Sequence, residues 1–318
     1  MKNRLKWPDF CKFVAMFLVT WDHASQVISN SIFNNLLGGG NLVAVHMPLF
    51  FIISGYFIDL EKIRGAKILP FVKNKFEHLM IPAIVWTSLY CLLTMTMKGP
   101  LTFLSFYWYL FSLFLSFVVI VIFSKLINNN TWAILLSTVV IMFTPYIPTI
   151  SNLNFMFPFL WVGYLLRVHP PKQSSLWFAI SLIITAGLFL IWNWDYTVYL
   201  SRFNTAILSV DMLIKCVVRF AMGVSSSYVI MYLAQRFEGI CFINNFSKYG
   251  QYTLITYLAS LVLFGVMRKY LPIGIDQPVL LEFFSLLLCV ATYALCILLQ
   301  KGISKKKYLR LVFLGISK

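Results

Sequence analysis

The sequence predicts an all-α membrane protein, a polytopic helix bundle of about ten transmembrane helices with both termini in the cytoplasm. Of its 318 residues, 60% are hydrophobic and only 11% are charged. A soluble domain of this length needs more charge to cover its surface. Long apolar runs recur from one end of the chain to the other, and each is continuously apolar, which favours helices over the alternating strands of a transmembrane barrel.

Ten apolar segments are long enough to be membrane spans. They are predicted at 8–28, 42–60, 76–97, 103–125, 132–147, 154–168, 174–194, 211–235, 250–269 and 277–300. The breaks between them contain Gly, Asn and Pro, which are typical of loops, as in "LLGGGN" and "HPP". The first run lacks an A-x-A cleavage site and is therefore expected to stay as a span. No loop is long enough for a soluble domain, so residues 1–318 are predicted to form a single integral membrane domain.

Basic residues are concentrated in alternate loops. The loop after the second span and the C-terminal tail are rich in lysine, whereas 29–41 and 148–153 contain no charge. The positive-inside rule then places both termini in the cytoplasm, in agreement with an even number of spans. The net charge of +16 is thus a topology signal, and no nucleic-acid partner is expected. Membrane lipids are the expected surroundings, and the tail segment "SKKKYLR" also has the charge to bind an anionic lipid surface.

The first span contains ionisable side chains that are costly in a membrane. Lys12 and His23 are eleven residues apart, so they project from one helix face, about 16 Å apart along the axis. Asp9 precedes Lys12 by three residues and can pair with it. From composition alone, Lys12 can extend to the interface and His23 can be a satisfied polar group between helices. Alternatively, Asp22 and His23 can face a cavity or a substrate path, as intramembrane ionisable groups usually do.

Six segments, in order along the chain, resemble the acyltransferase family 3 membrane proteins. The opening "RLKWPDFCKFVAMFLVTWDH" has the family's Asp, then a basic residue, then ten mostly apolar residues and a His, at Asp9, Lys12 and His23. The other five segments are "HMPLFFIISGYFI", "NKFEHLMIPAIVW", "YWYLFSLF", "FPFLWVGYLLR" and "YGQYTLITYL". No extracellular hydrolase-like domain is visible after the last span, so the chain is expected to resemble a stand-alone member.

The resemblance implies a membrane O-acyltransferase of the bacterial cytoplasmic membrane. It would move an acyl group, most often acetyl, from cytoplasmic acyl-CoA to a hydroxyl of a cell-surface or exported polysaccharide or a lipid-linked sugar. Acyl-CoA would be a co-substrate, with no bound cofactor and no metal. Donor binding is expected at Asp9, Lys12, Lys75 and His78, although the family commonly has Arg at the position of Lys12 and Arg-x-x-Arg at the last two. His23 is the expected catalytic residue, as a general base or as a transient acyl carrier.

Two further groups are candidates for the acceptor or the substrate cavity. His46 begins the second span on the side of His23 and can contact the acceptor. Asp211, Lys215 and Arg219 are spaced four residues apart and form one stripe on a helix, either an ion-pair network that fixes packing or a polar wall of the cavity. The alternative function is a non-catalytic transporter of an acylated or lipid-linked sugar, against which the spacing of Lys12 and His23 favours the enzyme.

Two other features carry structural expectations. The small residues of "SGY" at 54–56 predict a close approach of helices. Trp192, Trp194, Tyr196 and Tyr199 form an aromatic group at the outer ends of two spans. Such a group is either an interface belt or a surface that stacks on a sugar.

Overall fold

The computed structural model describes residues 5–29, 42–96, 106–143, 152–172, 174–196, 210–271, 273–275 and 277–316. Within these ranges the chain forms thirteen α-helices and no strand. They are α1 (Trp7–Ile28), α2 (Val43–Tyr56), α3 (Leu60–Gly65), α4 (Ile68–Thr94), α5 (Trp108–Leu126), α6 (Asn130–Met142), α7 (Asn152–Val168), α8 (Ser174–Ile191), α9 (Val210–Arg236), α10 (Cys241–Ser247), α11 (Thr253–Tyr270), α12 (Pro278–Ile303) and α13 (Lys307–Leu314). Short 3-10 turns occur at Trp194–Tyr196 and Lys248–Tyr252.

The helices follow the predicted apolar segments closely. Each of the ten predicted segments overlaps one of the helices. Among the described residues, six helical stretches are long and apolar enough to cross a membrane: α4, α5, α8, α9, the stretch Cys241–Tyr270 and α12. The helices α2 and α6 are apolar but shorter. The all-helical membrane character predicted from composition is therefore confirmed.

The second predicted span ends earlier than expected. Its helix stops at Tyr56, and the Asp59 side chain then accepts a hydrogen bond from the backbone N–H of Lys62 at 3.1 Å. This bond satisfies one free N–H at the start of the next helix. The chain therefore turns into the short helix α3 instead of continuing α2. Pattern reading also missed the short helices α10 and α13, because neither is a long apolar run.

Helix α1 lies within the bundle. It packs against α2, α9, α10, α11 and α12. Pro8 lies in its first turn, where backbone N–H groups have no acceptor within the helix, so proline removes no helical hydrogen bond there. Small and flexible side chains on its packed face, including Cys11, Ala15 and Met16, are completely buried. The neighbours of α1 therefore bury Asp9 and Asp22 and partly cover Lys12 and His23.

Two glycines bring α2 and α7 into backbone contact. A Cβ at Gly55 would lie 1.8 Å from the carbonyl oxygen of Leu160, and a Cβ at Gly163 would lie 1.9 Å from that of Ile52. No side chain fits at either place, so only glycine permits this approach. The close approach predicted at residues 54–56 is confirmed. It also fixes α2, which carries His46 at one end and Ser54 near the other.

Candidate active site

Lys12 lies at one end of α1 beside a narrow apolar cavity. Its Nζ is 3.5 Å from Asp9 Oδ1, so the ion pair expected from the spacing is present. The Lys12 side chain is 36% exposed, which leaves its ammonium accessible to a ligand. The cavity beside it, here named the Lys12 cavity, has a volume of about 210 Å³.

Helices α1, α2, α5 and α11 supply most of the wall of the Lys12 cavity. Met16 lies one turn beyond Lys12 along α1, and Met47 precedes Pro48 on α2. Tyr109 and Tyr257 close another side, with ring centroids 5.6 Å apart. Because Met47 follows His46 in the chain, the cavity reaches from Lys12 towards the level of His46. Its shape suits a slender, largely apolar chain with a charged group at one end.

His23 lies at the other end of α1 and lines a separate cavity of about 390 Å³, here named the His23 cavity. Gln26, Tyr90 and Phe106 contribute to its wall. Its remaining lining residues are Val27, Thr96, Leu261, Phe264, Gly265, Arg268 and Lys269. On α11, Leu261 of this cavity follows Tyr257 of the Lys12 cavity by one helical turn. The two cavities are thus neighbours, and α1 presents one ionisable side chain to each.

Gln26 binds Asp22 and lies beside His23. Gln26 Nε2 donates to Asp22 Oδ2 at 3.0 Å, and Gln26 lines the same cavity as His23. Gln26 follows His23 by three residues on α1, so its amide oxygen is within reach of an imidazole N–H. Asp22 itself is buried and does not line the His23 cavity, and His46 Nε2 lies 4.0 Å from its Oδ2. Sequence reasoning missed Gln26, although it stands three and four residues after His23 and Asp22, within reach on a helix.

His46 does not reach the His23 cavity. It is only 3% exposed and is absent from the lining of the Lys12 and His23 cavities. Its charge neighbours are Asp22, His23 and Arg219. His46 therefore belongs to a buried polar cluster with Asp22 and Arg219, next to His23. The geometry does not support the predicted direct contact with an acceptor.

The predicted stripe on α9 divides into two parts. Lys215 Nζ pairs with Asp211 Oδ2 at 2.8 Å, with the Asp211 side chain 70% exposed and the Lys215 side chain 27% exposed. Arg219 is completely buried instead, with its guanidinium carbon 4.8 Å from the Phe155 ring centroid and close enough to His46 for their charges to interact. Asp211 and Lys215 form an ion pair, as in the ion-pair interpretation of the stripe. Arg219 instead belongs to the buried polar cluster with Asp22 and His46. None of the three lines the Lys12 or the His23 cavity.

Lys75 adjoins the Lys12 cavity, but His78 does not. Lys75 Nζ lies 3.9 Å from the Phe117 ring centroid and lines a third cavity of about 310 Å³ together with Lys62. Ser54 lines both this cavity and the Lys12 cavity, so the two adjoin at its side chain. His78 Nδ1 is 2.8 Å from the carbonyl oxygen of Asn74, and its backbone packs on Gly315 at the end of α13.

The described part of the aromatic group predicted at the outer ends of two spans is a packing element. Trp192 is buried and its ring centroid is 5.6 Å from that of Tyr196. Both pack with Ala44 and Met222. The side chain of Trp194 and the whole of Tyr199 lie outside the described residues. In the part of the chain that the structure describes, no group of three or more His, Cys, Asp or Glu side chains is arranged to hold a metal ion.

Comparison with known proteins decides the family. The model of an acyltransferase family, Acyl_transf_3, described as an acyltransferase domain, matches residues 5–301. The chain belongs to the acyltransferase 3 family. Its apolar helices fit an integral membrane protein of this family. The Lys12 and His23 cavities both lie within the matched region.

Two curated relatives of this acyltransferase 3 protein are nodulation proteins. Nodulation protein NolL of Mesorhizobium japonicum is 23% identical over 250 residues, which cover 70% of this chain and 65% of that protein. Nodulation protein NolL of Sinorhizobium fredii is 27% identical over 187 residues, which cover 52% of this chain and 50% of that protein. The chain thus matches between half and two thirds of the length of these relatives. No solved structure matches the chain.

Proposed function

We propose that the protein transfers an acyl group, most often acetyl, from acyl-CoA to a hydroxyl of a cell-surface or exported polysaccharide or a lipid-linked sugar. The observation that carries this proposal is the arrangement of α1, which presents Lys12 to one cavity and His23 to a neighbouring one. Acyl transfer from a charged thioester to a glycan needs one path for each substrate, and the two paths must meet at one catalytic group.

The Lys12 cavity is the proposed donor site. Coenzyme A carries several phosphate charges, which an accessible ammonium can bind through charge-assisted hydrogen bonds. Lys12 supplies one ammonium, and Lys62 and Lys75 supply two more in the cavity that adjoins it at Ser54. The narrow apolar cavity beyond Lys12 then suits the acyl-pantetheine arm. Asp9 holds Lys12 in place through its ion pair.

His23 is the proposed catalytic residue. As a general base, its imidazole takes the proton of the acceptor hydroxyl while the hydroxyl oxygen attacks the thioester carbonyl. The C–S bond breaks, the acyl group becomes an ester of the acceptor, and coenzyme A leaves as its thiol after taking a proton. Gln26 lines the same cavity wall, and in this proposal its amide oxygen accepts from one ring N–H and leaves the other nitrogen free for the transfer. A transient acyl-imidazole on His23 is the second route compatible with the geometry.

The proposed setting is a bacterial cytoplasmic membrane crossed ten times, with both termini in the cytoplasm. The lysine-rich loop 61–75 and the C-terminal tail support this orientation. Lys12 then lies near the cytoplasm, where acyl-CoA is present, and His23 lies in the outer half of the membrane. The acceptor reaches His23 from outside.

The decisive test replaces His23. His23→Ala and His23→Gln should both abolish glycan acylation at matched membrane levels, because neither side chain exchanges a proton near neutral pH. His169→Gln is the matched control, since His169 is exposed at the end of α7. Mass spectrometry of surface glycans from cells expressing each variant provides the measurement. Substantial acylation by His23→Gln would limit His23 to a structural role and remove the proposed mechanism.

A further inference from the structure

Two cationic residues lie on the rim of the His23 cavity. Arg268 and Lys269 are exposed at the end of α11 and line this cavity together with His23. Among the described residues that line it, none is acidic. Lys269 Nζ donates to the backbone carbonyl of Thr94, which ties the end of α11 to α4. Arg268 is thus the cation best placed to bind a negatively charged group that enters the cavity.

An aromatic platform forms another wall of the same cavity. The Tyr90 and Phe106 rings are stacked, with centroids 4.4 Å apart and planes inclined by 23°. Gly265 makes room for this platform, because a Cβ there would lie 2.4 Å from the Tyr90 ring. Flat aromatic faces of this kind pack against the apolar C–H face of a sugar ring and leave its hydroxyls free for polar contacts.

We propose that the acceptor is an anionic sugar derivative whose ring packs on Tyr90 and Phe106 and whose negative charge binds Arg268. A guanidinium presents a planar fork of donors that matches a carboxylate or a phosphate. The acidic group is either the carboxylate of a uronic acid or the phosphate of a lipid-linked sugar, and both share this chemistry. The inference rests on the proposed function in one respect. The ligand is identified as the acceptor because His23, the proposed catalytic residue, lines the same cavity.

The experiment measures binding without any acyl donor, so it does not depend on catalysis. The full chain is placed in nanodiscs of phosphatidylcholine, which contain no anionic lipid to compete. Three probes are titrated: octyl glucoside, octyl glucuronide and an octyl glucosyl phosphate. The variants are Arg268→Gln, the matched control Arg236→Gln at the exposed end of α9, and Tyr90→Leu.

We expect at least one anionic probe to bind the unaltered protein about tenfold more tightly than octyl glucoside. Arg268→Gln should remove that preference, whereas Arg236→Gln should keep it. Tyr90→Leu should weaken all three probes alike, because the platform does not recognise charge. A preference for the glucuronide alone identifies a carboxylate, and one for the glucosyl phosphate alone identifies a phosphate.

Equal affinities of the three probes for the unaltered protein would overturn the inference, and so would three affinities too weak to measure. A charge preference that survives in Arg268→Gln would also overturn it. The proposed transfer reaction is tested separately by the His23 variants. Failure of the charge preference with an intact His23 result therefore rejects only the anionic acceptor. The reverse outcome rejects the transfer chemistry, and with it the ligand's identity as an acceptor, but leaves the anion-binding site in place.

Discussion

Replacing Gln26 with leucine tests whether its side chain, which binds Asp22 and lies beside His23, contributes to catalysis. Leucine has a similar volume but no polar atoms, so the hydrogen bond to Asp22 and the proposed one to His23 are both lost. The Asp22 carboxyl then loses the 3.0 Å bond from Gln26 Nε2 while it remains buried. Losing a partner at a buried polar group costs about 1–3 kcal/mol of folding stability.

The effect on the reaction comes from His23. A hydrogen bond that fixes the imidazole is worth about 0.5–1.5 kcal/mol, which corresponds to roughly a twofold to tenfold loss of kcat. The Lys12 cavity does not include Gln26, so the KM for acetyl-CoA should be unchanged. This separation of kcat from KM distinguishes a positioning role for Gln26 from general loss of structure.

The assay follows thiol release from acetyl-CoA in vesicles prepared from cells that carry their own glycan acceptor. Gln235→Leu is the control, because it makes the same change at an exposed position near the end of α9. Thermal unfolding in detergent reports the stability cost independently. A Gln26→Leu protein that folds and keeps the full kcat would refute the idea that the amide orients His23.

Three further predictions concern the donor site, the topology and the packing. Lys12→Ala should weaken acetyl-CoA binding roughly threefold to tenfold, and Lys12→Arg should preserve it; equal affinity measured by titration for all three proteins would exclude Lys12 from phosphate binding. Reporter fusions at residue 38 should report the outside and fusions at 66 and 318 the inside, and termini on opposite sides would disprove ten spans. Gly163→Ala should lower the unfolding temperature and the yield, because its Cβ would overlap the Ile52 carbonyl, a clash that costs about 1–3 kcal/mol or more; an unchanged melting curve would contradict the backbone contact.

The sequence by itself determined the long apolar helices and some local pairs along them. Continuous apolar runs predicted ten segments, and each of them overlaps a helix. An apolar run of this length has few structural roles other than a membrane-spanning helix. The Asp9–Lys12 ion pair followed from a spacing of three residues. The family, too, was visible in short segments such as the first span, and the match over residues 5–301 confirmed it.

Only the tertiary structure decided how side chains from different helices combine. The stripe of Asp211, Lys215 and Arg219 looked uniform in sequence, yet neighbouring helices enclose Arg219 and leave the first two largely outside. His78 and Lys75 were both predicted donor contacts, and the structure places Lys75 in the cavity that adjoins the Lys12 cavity, whereas His78 lines neither.

The His23 cavity depended most on the tertiary structure. Its wall combines His23 of α1, Tyr90 of α4, Phe106 near the start of α5 and Arg268 of α11. Helical spacing relates residues only within one helix, whereas this grouping depends on how closely the helices approach. Glycines such as Gly265 set that approach by leaving space for a ring from another helix. Such contacts join residues far apart in the chain, and no periodicity within a single helix encodes them.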